Sequence, residues 1–340
     1  MKSNLSKEQN WLVITSLAII AILAAGVILI YARSVLIPFV LAVFIFLLVS
    51  PVLDYQVLKL KIPRPLAICF TLLIVIIILT SLFLLISEAV QMIVSTATRY
   101  NDSFVSLAEK IFLKMKNWGL DINEAGITAG LQKRLPKIAA DTFGTAITLA
   151  SRILFVAIFL FFLLVGRNPN VVRAGIYGTI DSKIRRYIAT KTVLSAITGL
   201  LVWITLALFG LELAAVFGML TVLLNFIPNI GSIIATLLPV PIAVAQFQNQ
   251  WFIVLVLLVP GAIQMTIGNV IEPKLMGQGL QLHPVVILLA LAFWGLLWGI
   301  IGMFLAVPIT AALRIVLMQF ETLKPIGLLL AGQLPNSKVS

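Results

Sequence analysis

Charge is what this sequence has least of. Of its 340 residues only 11% are Asp, Glu, Lys or Arg, whereas 61% are hydrophobic and the mean hydropathy is +1.15. An average soluble domain carries about 25% charged and about 45–50% apolar residues. So few charges cannot cover the water-facing surface of a protein this size, which argues against a cytoplasmic enzyme or a disordered chain. Cysteine is nearly absent too: Cys69 stands alone in an apolar run, so an intrachain disulfide framework is ruled out. The single histidine, His283, lies more than 200 residues from Cys69, and the two cannot build the usual zinc site. No Gly-x-x-x-x-Gly-Lys loop is present to cradle a nucleotide phosphate, so ATP is not the direct energy source. Intramembrane proteolysis needs a paired nucleophile and base, and Ser232 has no such partner in the sequence. The chain reads as a non-enzyme without cofactor or metal.

Long apolar runs take the place of charge. Residues 11–31, 34–53, 65–87, 143–166 and 192–211 form five of them, the fourth interrupted only by Arg152. At about 1.5 Å per residue, some 20 residues cross a hydrocarbon core of about 30 Å. The first run follows Lys2 and Lys7, as a signal peptide would. Its apolar stretch is longer than the usual h-region of about 7–15 residues, and it reads as a retained span. Pro38 lies in the first turn of the second run, where proline is tolerated, and Pro51 is expected to help end it. The net charge of +12 comes from Lys and Arg clustered between the runs, which is the positive-inside pattern rather than a nucleic-acid surface. Lys59, Lys61 and Arg64 form one short loop. The stretch 167–191 forms another, with Arg167, Arg173, Lys183, Arg185, Arg186 and Lys191 against Asp181. Both fall inside if the N-terminus is cytoplasmic; Arg33 alone votes the other way.

Residues 88–141 then lie outside. Apolar side chains recur every three or four positions from Val90 to Trp118, which predicts an amphipathic helix continuous with the third span. It reads either as a helix lying on lipid headgroups or as an arm packed on neighbouring subunits.

From Thr192 to Leu313 the only charges are Glu212, Glu272 and Lys274, yet the stretch is crowded with Pro and Gly. Broken backbone at membrane depth survives only where protein or a water-filled cavity satisfies its polar groups, so these breaks point to a site or pathway. Residues 213–245 and 285–317 are each too long for one comfortable span and short for two. Their breakers sit near the middle, Pro228 to Gly231 and Gly299 to Gly302, so two helical hairpins with approaching tips are predicted. Both end on a similar phrase, Val240-Pro241-Ile242-Ala243 and Val307-Pro308-Ile309-Thr310, which raises the question of an internal repeat.

Two stretches of this region carry a resemblance. One is Asn225-Phe226-Ile227-Pro228-Asn229-Ile230-Gly231 followed by Pro239. The other is Asn269-Val270-Ile271-Glu272-Pro273-Lys274-Leu275-Met276-Gly277, then Leu282-His283-Pro284, then Gly299-x-x-Gly302 and Pro308. In that order, with Arg186-Tyr187 and the Gly199 helix upstream, they resemble the autoinducer-2 exporter family of bacterial permeases. The resemblance implies a bacterial membrane permease with about eight hydrophobic segments; with the apolar runs and the loop charges above, the expected protein is all-α and polytopic, in the inner membrane with both termini cytoplasmic. It also implies a homo-oligomer. The expected division is three spans in 1–87, an extracytoplasmic arm in 88–141, and a transport core in 142–340 containing the hairpins 213–245 and 285–317. The expected partners are membrane lipid and a small polar solute or monovalent cation, with no nucleic acid. Export of an autoinducer-2-like solute is the leading function. Sodium or lithium exchange for protons stands as an alternative, as does a scaffolding membrane protein.

The candidate path residues are Asn225, Pro228, Asn229 and Gly231 at the first break, Gln264, Asn269, Glu272 and Lys274 on the next segment, and Gly302 and Pro308 in the second hairpin. Pro228 removes an N–H and frees a carbonyl one turn back, which with the flanking amides offers polar groups to a hydrophilic solute; a simple turn between packed helices is the plain alternative. Glu272 and Lys274 read either as costly intramembrane charges with a function or as the marker of a helix end at the interface, where Pro273 starts the next element. His283 reads as an interfacial loop residue, Arg152 as snorkelling and Glu212 as solvated.

Overall fold

The computed structural model of the chain describes residues 7–99, 151, 153–167, 175–247, 249–276, 280 and 282–333, and the statements below concern these. Every regular element among them is helical, in line with the all-α polytopic fold expected. α1 runs Lys7–Tyr31, α2 Arg33–Leu58, α3 Arg64–Arg99, α4 Ile153–Gly166 and α5 Gly175–Leu208. Most of the proposed arm, residues 100–141, lies outside the described residues, as does Arg152; α3 itself runs without interruption to Arg99.

Two boundaries differ from expectation. Pro51 does not end α2, which continues to Leu58. Proline leaves the carbonyl four residues earlier without its N–H. That carbonyl, on Leu47, accepts from the buried Ser50 hydroxyl at 3.4 Å, so the helix passes through. The basic stretch taken as a loop up to Lys191 is helical from Gly175 onward. Arg185 donates to Asp181 one turn earlier at 2.5 Å, a spacing that supports a helix.

α2, α3, α4 and the first half of α5 share a core that includes Phe46, Leu53, Ile68, Leu160, Leu164 and Ile188. At one end Arg167 makes a two-pronged bond to Asp54, at 2.9 and 2.6 Å, and Arg64 donates to the carbonyls of Val165 and Arg167. The 59–64 loop and the end of α4 therefore share one face of the protein.

The second half of the chain is built on close crossings and folded-back helices. α6 (Ala214–Leu224) crosses α5 where Gly199 faces Gly218, and a β-carbon on either glycine would collide with the partner helix. The chain then turns through Asn225–Asn229 and returns as α7 (Ile230–Leu237) and α8 (Val240–Gln246). Asn229 takes a positive φ of 61°, and Gly231 lies so close to the Leu224 carbonyl that no side chain fits. Gln246 closes the base of this first hairpin, donating to the Gly210 carbonyl at 2.7 Å and accepting from the Glu212 N–H at 2.8 Å.

α9 (Gln250–Thr266) leads through a π-helical turn, Ile267–Ile271, into α10 (Glu272–Met276). Pro273 lies in the first turn of α10, which follows the π turn without a gap. α11 (Pro284–Leu317) is long enough to count as one span, but Gly299, at φ 66° and ψ −146°, folds it in two. Trp294 Nε1 donates to Thr310 Oγ1 at 3.3 Å, whereas sixteen residues of straight helix would separate them by about 24 Å. The return limb packs Gly302 on the Trp294 carbonyl, the same glycine-on-carbonyl contact as Gly231 on Leu224. The Val-Pro-Ile phrases, by contrast, are not equivalent: Pro241 lies ten residues beyond its tip glycine and Pro308 six. At the base, Arg314 donates to the carbonyls of Leu280 and Gly327, and the His283 N–H to that of Leu330, which holds α12 (Lys324–Leu330) in place.

The hairpins enter from opposite ends of α5. The base of the first is tied to Gly210, just past its C-terminus. The base of the second begins near Leu275, whose carbonyl accepts from Arg186 at 3.5 Å. Their tips meet, with Phe226 stacked on Phe304 at 4.5 Å and Ile227 buried among Trp294, Trp298 and Leu305. Counted this way the described residues hold eight hydrophobic units, two of them hairpins.

The glycine contact at the first tip has a direct test in thermal unfolding. Gly231→Ala is expected to destabilise the protein by about 2 kcal/mol or more, because a backbone carbonyl blocks the added carbon. Gly166→Ala, with nothing within 4 Å, should stay within about 0.5 kcal/mol of the parent. Equal effects at the two positions would contradict this packing.

Candidate functional site

A cavity of about 450 Å³ lies between the first hairpin and the α9–π–α10 segment. Pro228 and Asn229 come from the hairpin tip, and Ser232, Ile233, Thr236 and Leu237 from α7. Gly261, Gln264, Met265, Gly268, Asn269 and Glu272 line the other wall, and Lys191 closes it from α5. Ile233, Leu237, Met265, Asn229 and Asn269 are exposed at its rim, while Gln264 and Lys191 are buried deeper. Such a lining, apolar with a few convergent polar groups, is the common form of a small-molecule site.

The positions follow from local structure. Gly261, Gln264, Gly268 and Glu272 recur at helical spacing, so one face of α9 and its continuation supplies the wall. The π turn, a feature common at functional sites, brings Asn269 onto the same wall. Pro273 has no N–H to return to this turn, which leaves carbonyl capacity beside the cavity.

At the centre is an ion pair. The Lys191 ammonium donates to both Glu272 oxygens, at 2.6 and 2.8 Å, and is 4% exposed; the Glu272 side chain is 21% exposed and faces the cavity. Desolvating two charges is expensive and is offset only when they are well paired. Glu272 therefore arrives already neutralised by a partner on another helix. Behind it, the buried Asn225 accepts from Ser232 at 3.4 Å and borders a narrow recess formed with Ser195, Thr198 and Gln264.

Of the ten residues singled out in the sequence, Pro228, Asn229, Gln264, Asn269 and Glu272 share the cavity, and Asn225 lines the recess. Gly231 lies beneath the tip as a packing residue. Lys274 is exposed on α10 and outside the lining. Gly302 and Pro308 are buried within the second hairpin and do not touch the cavity. Sequence reasoning missed Lys191, Ser195, Thr198, Ser232 and Thr236. The signal was there: Lys191, Ser195 and Thr198 fall at i, i+4 and i+7 on α5, and Ser232 and Thr236 at i, i+4 on α7. Lys191 was counted with the loop charges because the uncharged run starts immediately after it.

Comparison with known proteins gives the chain its relatives. A family model described as AI-2E family transporter matches residues 17–321. The chain is 30% identical over 314 residues to the AI-2 transport protein TqsA of Escherichia coli K12, covering 88% of this chain and 90% of that one. It is 28% identical over 344 residues to YhhT of the same strain, provisionally named a transport protein, with 96% of each covered. A Haemophilus influenzae protein with a similar provisional name is 32% identical over 348 residues, covering 93% and 94%.

The ion pair is open to a double-mutant cycle read by thermal unfolding. Glu272→Leu leaves the Lys191 ammonium buried without its counter-charge and should cost about 3 kcal/mol. Lys191→Met combined with Glu272→Leu should cost clearly less than the two single changes added together. Strict additivity would mean that the pair does not form.

Proposed function

The chain belongs to the AI-2E transporter family, and on that premise we propose that it exports a small polar solute, autoinducer-2 in the first instance, through the cavity beside the first hairpin. It is a multi-pass bacterial membrane protein and a permease by family. The observation that carries the solute reading is the cavity itself: polar side chains from three helices converge where the helices are broken, in a protein that otherwise presents apolar surface. Its polar lining is amide and hydroxyl, and its two charges are paired with each other, which suits an uncharged hydrophilic molecule. TqsA carries autoinducer-2 transport in its name, and that name is the source of the solute assigned here. Nothing in the relatives' names supports exchange of sodium or lithium for protons. As a permease by family, the protein acts in this reading by binding and release.

The path residues are Asn229, Gln264, Asn269 and Glu272 in the cavity, with Asn225 and Pro228 shaping the tip. The second hairpin is the opposing barrier: Phe304 and Trp294 cover the first tip, so passage requires the Phe226–Phe304 contact to part. The positive charge of the N-terminal segment and of the 59–64 loop supports cytoplasmic termini with the 88–141 arm outside, and the length of that arm together with the family supports a homo-oligomer.

Two outcomes are expected in proteoliposomes. Autoinducer-2 efflux should exceed that of protein-free liposomes, and Asn229→Ala should reduce it several-fold; wild-type efflux at the protein-free rate would contradict the assignment. In a Cys69→Ala background, Phe226→Cys with Phe304→Cys joined by a short thiol crosslinker should stop efflux, and reduction or cleavage of the linker should restore it. Full efflux in the crosslinked protein would remove the tip contact from the mechanism.

A further inference from the structure

The geometry points to a hydroxyl-recognition subsite in the recess behind Asn225, where Ser195 and Gln264 hold one hydroxyl group of the transported solute. This rests on the permease reading above and adds to it the chemistry by which the solute is selected.

The recess has a volume of about 10 Å³ and is continuous in its lining with the main cavity, sharing Lys191, Ser232, Gln264 and Glu272. That is room for about one oxygen-sized sphere. Two polar atoms at it, Ser195 Oγ and Gln264 Nε2, have no hydrogen-bond partner among the described residues. Both side chains are deeply buried, at 1% and 6% exposure. Buried polar groups without partners are costly and uncommon in native proteins, so two on one small recess call for a ligand.

Ser195 is also the exception among its neighbours. The hydroxyls of Thr192, Thr198 and Thr205 on the same helix each donate to the carbonyl four residues earlier, at 2.7–2.8 Å, and Thr221 and Thr236 do the same on theirs. That bond is the routine way to satisfy a hydroxyl inside an apolar helix. Ser195 does not make it.

The remaining lining names the chemistry. Gln264 offers an amide donor and Ser195 a hydroxyl. Thr198 Oγ1, having spent its proton on Leu194, keeps lone pairs free to accept. A solute hydroxyl, with two lone pairs and one proton, can accept from both Gln264 and Ser195 and donate to Thr198, so it matches every group at once. An apolar substituent would leave the donors stranded, and a carboxylate would meet Glu272 nearby. A site built to bond a hydroxyl rejects the analogue lacking it far more strongly than an apolar pocket distinguishes a methylene. A trapped water would offer the same oxygen, and the test below separates the two sources.

The full-length protein is placed in lipid nanodiscs and its binding of autoinducer-2 measured by calorimetry, alongside efflux from proteoliposomes and thermal unfolding. Ser195→Ala and Gln264→Met are each expected to weaken binding by about tenfold or more with the unfolding temperature held. The double variant should lose less than the product of the two, since both remove bonds to one oxygen. Affinities within twofold of the parent would overturn the subsite. So would a lowered unfolding temperature at unchanged affinity, which marks a trapped water. Wild-type protein that binds autoinducer-2 but does not move it contradicts the transport reading alone, and the variants still decide the subsite. Absence of wild-type binding overturns both.

Discussion

A lipid core offers no water to a peptide group, and most features of this structure answer that constraint. Each place where a helix is interrupted frees an N–H or a carbonyl that must find a partner within the protein or in a hydrated cavity. At Pro51 the partner is the Ser50 hydroxyl, and α2 passes through unbroken. At the tips of the hairpins the chain turns sharply, with Asn229 and Gly299 at positive φ and a glycine pressed on a carbonyl just beyond each. Beside these turns the hairpins pack on each other through Phe226 and Ile227, while Asn229 and Gly299 themselves are exposed. Around the π turn the polar capacity is left facing a cavity.

The same constraint explains the ion pair. Glu272 would be expensive alone among apolar helices, and Lys191 equally so on α5. Held together at 2.6 and 2.8 Å they tie α5 to the far end of the α9–π–α10 segment. Pairing of this kind adds little net stability compared with a well-packed apolar contact, but it specifies which helix meets which. Here it also fixes the cavity wall, because Glu272 and Lys191 both line it.

Much of the fold was legible in the sequence, and the exceptions have physical causes. The spans and the hairpins could be read because long uncharged runs and mid-run Pro and Gly are strong signals in lipid. The end of α2 was misplaced because the rescue of Pro51 depends on a neighbouring hydroxyl, which composition does not reveal. The start of α5 was placed too late because charge was equated with loop, whereas Asp181 and Arg185 pair along a helix. In the site, most residues found lie beside the breaks, whereas Lys191, Ser195 and Thr198, on the intact α5, were missed. Gly302 and Pro308 looked like path residues for the reason that Asn229 did, their place at a break. Only the packing separates a glycine that lines a cavity from one that seats a tryptophan carbonyl. The match of residues 17–321 to the AI-2E transporter model settles the family without touching these residue roles.

The central claim is that the broken segment encloses a water-accessible path inside an otherwise lipid-facing protein. Labelling of single cysteines by a small, hydrophilic, charged thiol reagent tests it most directly, in a Cys69→Ala background in native membranes. Thr236→Cys and Asn269→Cys, on the two cavity walls, are expected to react rapidly. Leu258→Cys, exposed on α9 but outside the cavity lining, is expected to stay unreacted because lipid covers it. Labelling of all three at similar rates, or of none, would contradict the account.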